Sequence, residues 1–112
     1  MLEIIKKLLG TAAPLQRSMD LQQQVDEETR RLALYQFSAC SYCIKVRRVI
    51  KQLDLNVEYR DAANNQLWKQ ALIREGGLYQ TPCLRIEHQD GSVQWMYESA
   101  VIIRYLKRRF ST

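Results

Sequence analysis

The sequence has no run of about eighteen apolar residues, so no segment of it is suited to cross a bilayer as a helix. Glycine and proline are sparse, at four and two residues, and no internal repeat or low-complexity tract occurs, which excludes collagen-like and unstructured chains. Cysteine occurs three times, an odd number, and two of the three form Cys40-Ser41-Tyr42-Cys43, so a secreted disulfide framework explains them poorly. His88 is the only histidine. The start of the chain also lacks the form of a secretory signal, because Gly10, Thr11 and Pro14 interrupt the apolar stretch that follows Lys6 and Lys7. These absences lead to the expectation of a cytosolic chain whose thiols serve redox or metal chemistry.

What is present suits one globular domain: 112 residues, 46% of them hydrophobic and 26% charged. A chain of this length buries about 65% of its unfolded surface, enough for one core without disulfide staples. The net charge is +5, and residues 1–31 contribute nothing to it, with five basic and five acidic side chains. The basic excess therefore lies in residues 32–112.

Two pieces of different character meet near Leu32, and the division expected is an N-terminal extension over 1–31 and a compact domain over 32–112. The extension opens on a short amphipathic stretch, Leu2, Ile4, Ile5, Leu8 and Leu9, broken by Gly10 to Pro14. A basic stretch of nine residues is marginal as an isolated helix, so packing on the domain or disorder is expected over membrane association of residues 1–9. Ser18 then caps a polar helix expected to reach Arg31, whose apolar stripe of Leu21, Val25 and Leu32 is thin enough to need outside support.

From Leu32 the pattern alternates. Leu32–Phe37 reads as a strand, Ser41–Asp54 as a helix with Val46, Val49, Ile50 and Leu53 at helical spacing, and Asn56–Arg60 as a second strand. Asn64–Glu75 reads as a helix turning Leu67, Ala71, Trp68 and Leu72 inward and closed by Gly76-Gly77. Cys83–His88 and Val93–Tyr97 flank the Asp90-Gly91 turn of a hairpin. Glu98–Phe110 closes the chain as a helix with Ile102, Leu106 and Phe110 on one side, its terminal basic residues favouring the helix dipole. A parallel strand-helix-strand unit followed by a hairpin and a closing helix predicts an α/β, thioredoxin-like fold: a four-stranded mixed sheet with helices on both faces, plus a helical N-terminal extension.

Cys40 follows the first strand and opens the next helix, where unpaired N–H groups and the helix dipole favour a thiolate. In Cys-x-x-Cys motifs that placement brings the pKa to about 3.5–7 from about 8.5. Cys43, one turn later, is placed to attack a mixed disulfide on Cys40, so Cys40 is the expected nucleophile and Cys43 the resolver. The competing reading is half a zinc site. The ligands left for it, Cys83 and His88, stand five apart on one strand and face opposite ways, so no metal site is expected.

Over residues 32–112 the chain resembles the glutaredoxins. Tyr35-Gln36-Phe37-Ser38-Ala39-Cys40-Ser41-Tyr42-Cys43 is similar to their first strand and active-site loop, and Gln80-Thr81-Pro82 to the segment bearing their cis-proline. Met96-Tyr97-Glu98-Ser99 with Ile102, Tyr105 and Leu106 resembles the final-helix motif that transferase-like glutaredoxins share with the N-terminal domains of glutathione transferases. The resemblance implies a glutathione site: Tyr42 walls the groove, the backbone of Thr81 beside Pro82 pairs with the cysteinyl backbone of glutathione, and Glu98 and Ser99 receive its γ-glutamyl end. Cys83, after the proline, is expected in the core.

Two departures stand out. Ser41 and Phe37-Ser38-Ala39 occupy places where many glutaredoxins have a proline and a lysine, so the glycine carboxylate of glutathione loses its usual cation, and Lys69, Arg60 and Arg47 are the substitutes in the sequence. Ser41 is also compatible with glutaredoxins that hold a two-iron two-sulfur (2Fe-2S) cluster between subunits. The function implied is a monomeric, glutathione-dependent thiol-disulfide oxidoreductase acting on glutathionylated or disulfide-containing proteins. Its rival is a glutathione-binding module or cluster carrier with little turnover. A complete glutathione transferase is not expected of a chain ending at Thr112. Nor is nucleic acid expected as a partner, since no stacking platform accompanies the basic residues.

Overall fold

The computed structural model describes residues 16–112. The amphipathic stretch expected over residues 1–9 lies outside the described residues. The elements in order are α1 (Met19–Thr29), β1 (Leu32–Gln36), α2 (Ser41–Gln52), β2 (Glu58–Asp61), α3 (Gln66–Ala71, continued by a π turn over Leu72–Gly76), β3 (Cys83–Glu87), β4 (Val93–Tyr97) and α4 (Ser99–Phe110). None of these helices is long and apolar enough to cross a membrane.

The strands form one mixed sheet in the order β2-β1-β3-β4. β1 and β2 are parallel, joined across α2, while β3 runs antiparallel to both β1 and β4. Leu32 through Tyr35 are all buried because β1 is central and covered on both faces. Leu32, Leu34, Leu84 and Ile86 face one layer, against Val25 of α1, Val46, Val49 and Ile50 of α2, and Ile102, Leu106 and Phe110 of α4. Ala33, Tyr35 and Cys83 face the other, with Leu72, and with Trp68, Ala71 and Trp95 packed alongside. The expected α/β, thioredoxin-like sheet with helices on both faces is the fold observed.

The differences from the sequence reading are local. β2 begins at Glu58 rather than Asn56. The helix expected over Asn64–Glu75 starts later, because the Asn65 side chain accepts from the N–H groups of Leu67 and Trp68 and so caps the first turn. Leu67 is 78% exposed rather than inward, and Leu72 is the fully buried residue of that segment. The π turn follows, and Gly76 ends it where a Cβ would collide with the Tyr97 hydroxyl. The hairpin has His88 accepting from Gly91 and donating to Ser92, with Gly91 at φ 88°, the three-residue loop in which glycine takes the left-handed position.

Helix α1 obtains its support from polar side chains. Ser18 caps it, and the helix ends at Thr29, two residues short of Arg31. Leu32 is thereby part of β1 rather than of the helical stripe. Arg17, just before the helix, donates to the carbonyls of Leu53 (2.7 Å), Phe110 (2.6 Å) and Thr112 (2.7 Å). One guanidinium therefore ties together the C-terminal ends of α2 and α4. Gln22 reaches the carbonyl of Asp54, Asn56 donates to Asp26, and Arg109 pairs with Glu28.

Candidate functional site

Strand register brings the candidate residues to one end of the sheet. Tyr35 lies opposite Cys83, and Cys83 opposite Tyr97. The loops that leave this row are the Phe37–Ala39 turn into α2, the Gln80–Pro82 segment before β3 and the Glu98–Ser99 step into α4. The first two meet at the sulfurs of Cys40 and Cys43, where the Phe37 backbone and the Thr81 hydroxyl both act on the thiols. The third adjoins them through Tyr97, whose hydroxyl lies within reach of the Cys83 sulfur and donates to the carbonyl of Leu78 at 2.8 Å.

Cys40 is the N-cap of α2, with extended backbone (φ −75°, ψ 125°) and no side-chain cap. The orphan N–H groups of the first turn are therefore left to its sulfur. Burial works against ionisation of Cys40. The N–H of Cys43, the Cys43 thiol, the N–H of Tyr42 and the Thr81 hydroxyl outweigh it and hold the Cys40 thiol below its ordinary value. Cys43, fully buried on the same turn, moves the other way: burial pushes its thiol up, the Phe37 backbone and Thr81 hydroxyl oppose, and the charge on Cys40 raises it further. Of the two thiols, Cys40 is therefore the one that gives up its proton first. Cys40 is partly exposed, whereas Cys83 is sealed in the core with its thiol pushed up to about 12, mainly by burial.

Tyr42 stands 57% exposed beside Cys40, with Lys45 near its ring. The Thr81–Pro82 bond is cis, as the resemblance implied. Glu98 is exposed and holds φ 72°, ψ 122°, a left-handed-side conformation unusual for a residue with a Cβ. It occupies the N-cap of α4 without a side-chain bond, so Ser99 is the first helical residue rather than the cap.

The three candidate cations separate clearly. Arg47 donates to the Gln36 side chain and to the Ser38 carbonyl, bracing the turn that leads into α2. Arg60 donates to Tyr35 and Glu58 and lies 4.3 Å from the Trp68 ring centroid. Lys69 has no ion pair among the described residues and lies 5.2 Å from the ring of Tyr79, which packs against Phe37. Cys83 and His88 stand at opposite ends of β3, the histidine exposed and bonded to Gln94. Tyr79 and Leu78 beside the site were not expected: they belong to a loop whose apolar residues have no period.

The architecture is that of a thioredoxin-fold domain with a dithiol at the mouth of its first βα connection. The glutathione S-transferase N-terminal domain family matches residues 34–112, and the chain belongs to that family. Among solved structures it is similar to maleylacetoacetate isomerase from Anaeromyxobacter dehalogenans 2CP-1 with bound dicarboxyethyl glutathione and citrate, at 24% identity and a TM-score of 0.55, over 71% of this chain and 37% of the isomerase. It is also similar to the thioredoxin-like protein BC3987, at 22% identity and a TM-score of 0.55, over 70% of this chain and 92% of that protein. A third likeness is to Leishmania TDR1, a trimeric glutathione transferase, at 24% identity and a TM-score of 0.52, over 71% of this chain and 18% of that one. No curated protein matches. The chain thus spans less than two-fifths of the isomerase, and at these identities the likenesses establish the fold. The family found is the transferase one, and the glutaredoxin resemblance is met at the level of the shared thioredoxin-like fold.

Proposed function

We propose that this domain is a glutathione-dependent thiol-disulfide oxidoreductase. The observation that carries the reading is the opposed pair: a partly exposed Cys40 whose thiol is depressed and a buried Cys43 whose thiol is raised, three residues apart at a helix N-terminus. The Cys40 thiolate attacks the glutathione sulfur of a protein mixed disulfide. The protein thiolate leaves and takes a proton from solvent, and Cys40 carries the glutathione. A second glutathione thiolate attacks that sulfur, releases glutathione disulfide and restores Cys40. With protein disulfides, Cys43 loses its proton and displaces the product, and two glutathiones reduce the resulting Cys40–Cys43 bond.

The glutathione that the isomerase structures hold supports the same ligand here. In this reading Tyr42 walls its groove, the backbone of Thr81 beside Pro82 pairs with its cysteinyl unit, and Glu98 and the N-terminus of α4 at Ser99 receive its γ-glutamyl end. Lys69, the one of the three cations without a hydrogen-bonded partner among the described residues, faces its glycine carboxylate. The buried Cys43, placed to form a disulfide with Cys40, favours thiol exchange over a two-iron two-sulfur cluster held between subunits. The domain works as a monomer in the cytosol, where a free dithiol persists.

The test is release of glutathione from a glutathionylated peptide, followed by mass spectrometry. Cys40→Ser is expected to abolish release and Cys43→Ser to retain it while losing reduction of an intramolecular peptide disulfide. Unchanged release by the Cys40 variant overturns the assignment.

A further inference from the structure

Outside the thiol site, a groove of about 640 Å³ lies between α2 and edge strand β2, lined chiefly by Ile44, Arg47, Arg48, Lys51, Leu55 and Tyr59. It begins in the first turn of α2, where the N–H of Ile44 donates to the carbonyl of Cys40 at 3.0 Å. Arg47 belongs to both places, since its guanidinium also holds the Ser38 carbonyl at 2.9 Å. A chain whose sulfur reached Cys40 would therefore have this groove as one of its exits.

The chemistry of the lining is specific. Arg48 and Lys51 are exposed and make no ion pair with the described residues, and among those residues Asp54 is the only carboxylate lining the groove. Glu58 on β2 is engaged on the opposite side of its strand with Arg60. Ile44 and Tyr59 expose apolar surface between the cations, at 39% and 43%. From Ile44 to Lys51 the helix rises about 10 Å, the length of about three residues of extended chain at about 3.4 Å each. Cations and aliphatic groups alternating along such a length match a polypeptide bearing both carboxylates and apolar side chains. Nucleic acid fits less well, because among the described residues Tyr59 is the one aromatic lining the groove, and Asp54 adds a negative charge to it.

We propose that the α2–β2 groove docks an acidic, partly apolar segment flanking the target cysteine of the protein substrate, so that charge selects which disulfides reach Cys40. This rests on the oxidoreductase reading above and adds the substrate class to it.

The test uses two glutathionylated peptides of equal length, one with Asp and Glu flanking its cysteine and one with Asn and Gln, and a small glutathione mixed disulfide as control. The acidic peptide is expected to show kcat/KM at least about tenfold above the neutral one at low salt, the advantage collapsing near 0.5 M salt. An Arg48→Glu, Lys51→Glu double variant is expected to lose that advantage while turning over the small disulfide as before. Equal kcat/KM for the two peptides in the unaltered protein overturns the proposal. Fluorescence anisotropy with a cysteine-free acidic peptide reads the groove without any turnover. Binding that the double variant loses sustains the docking surface even if the redox reading fails. No binding, or single-stranded RNA binding more tightly than the peptide, overturns it.

Discussion

Cys40 and Cys43 are the same residue in opposite surroundings. Cys40 faces the free N–H groups of its own helix, and Cys43 faces the core. Because the Cys43 thiol is one of the donors that hold Cys40 down, the two titrations are coupled. Alkylation of Cys40 by iodoacetamide is expected to show a pH midpoint below the ordinary thiol value of about 8.5. Cys43→Ala, which removes a donor, is expected to raise that midpoint, and a midpoint at the ordinary value in the native protein contradicts the geometry. Glu98 invites a different experiment. A residue with a Cβ at φ 72° costs about 1–3 kcal/mol, and glycine there gives back about 0.5–1 kcal/mol in chain entropy. Glu98→Gly is therefore expected to stabilise the protein by about 0.5–2 kcal/mol in urea unfolding. If the carboxylate serves the γ-glutamyl ammonium, the same variant raises the KM for glutathione. That Cys40, Cys43 and the Thr81–Pro82 segment meet was legible in the sequence, because a thiol pair and a Thr-Pro motif stand in the order the fold requires. The conformation of Glu98 was not, since nothing in a side chain announces a positive φ.

At the scale of elements, periodic segments were the readable ones. Val46, Val49, Ile50 and Leu53 are buried as their spacing predicts, and so are Ile102, Leu106 and Phe110, because an amphipathic helix must lay its stripe on a sheet. The segment 64–75 was misread at its start: capping by Asn65 delays the helix to Gln66 and leaves Leu67 exposed in its first turn, while Leu72 is buried as expected. Helix α1 was read as thin, and what completes it is long-range, with Arg17 reaching carbonyls 36 to 95 residues away. No local pattern carries that information. The three bonds are charge-assisted, partly exposed and directed at helix C-termini, so Arg17→Ala is expected to cost about 1–3 kcal/mol, measured by urea unfolding. Cys40 is remote from these carbonyls in the sequence and in the fold, so its alkylation midpoint should not move. A shift in the midpoint would mean that α1 is coupled to the site.

For the molecule as a whole, the topology followed from element order. The pairing of β3 with β4 followed from the Asp90-Gly91 turn, whereas the register of β1 was not legible, because Leu32–Tyr35 are buried on both faces and carry no polar alternation to mark it. The same burial that makes Cys43 and Cys83 quiet thiols also sets how stability depends on pH. Unfolding exposes both, and each then ionises near about 8.5, while the native Cys83 thiol holds its proton until about 12 and the native Cys43 thiol also lies above its ordinary value. Between those limits the native state binds more protons than the unfolded state, so stability falls as pH rises, by at most about 1.4 kcal/mol per pH unit for each thiol. Tyr97, pushed up to about 12 by burial and by Cys83, adds to the fall above about 10. Cys40 acts in the opposite sense and in a lower window. Its depressed thiol contributes stability that is complete above the unfolded value and is lost as pH falls through the folded one. Urea midpoints of the reduced protein should therefore decline from pH 9 to 11 and decline less steeply in Cys83→Ala, although that variant starts lower because it leaves a small void. Parallel slopes for the two proteins would show that Cys83 titrates in the native state as it does in the unfolded chain, and that the second face of the sheet is open to water.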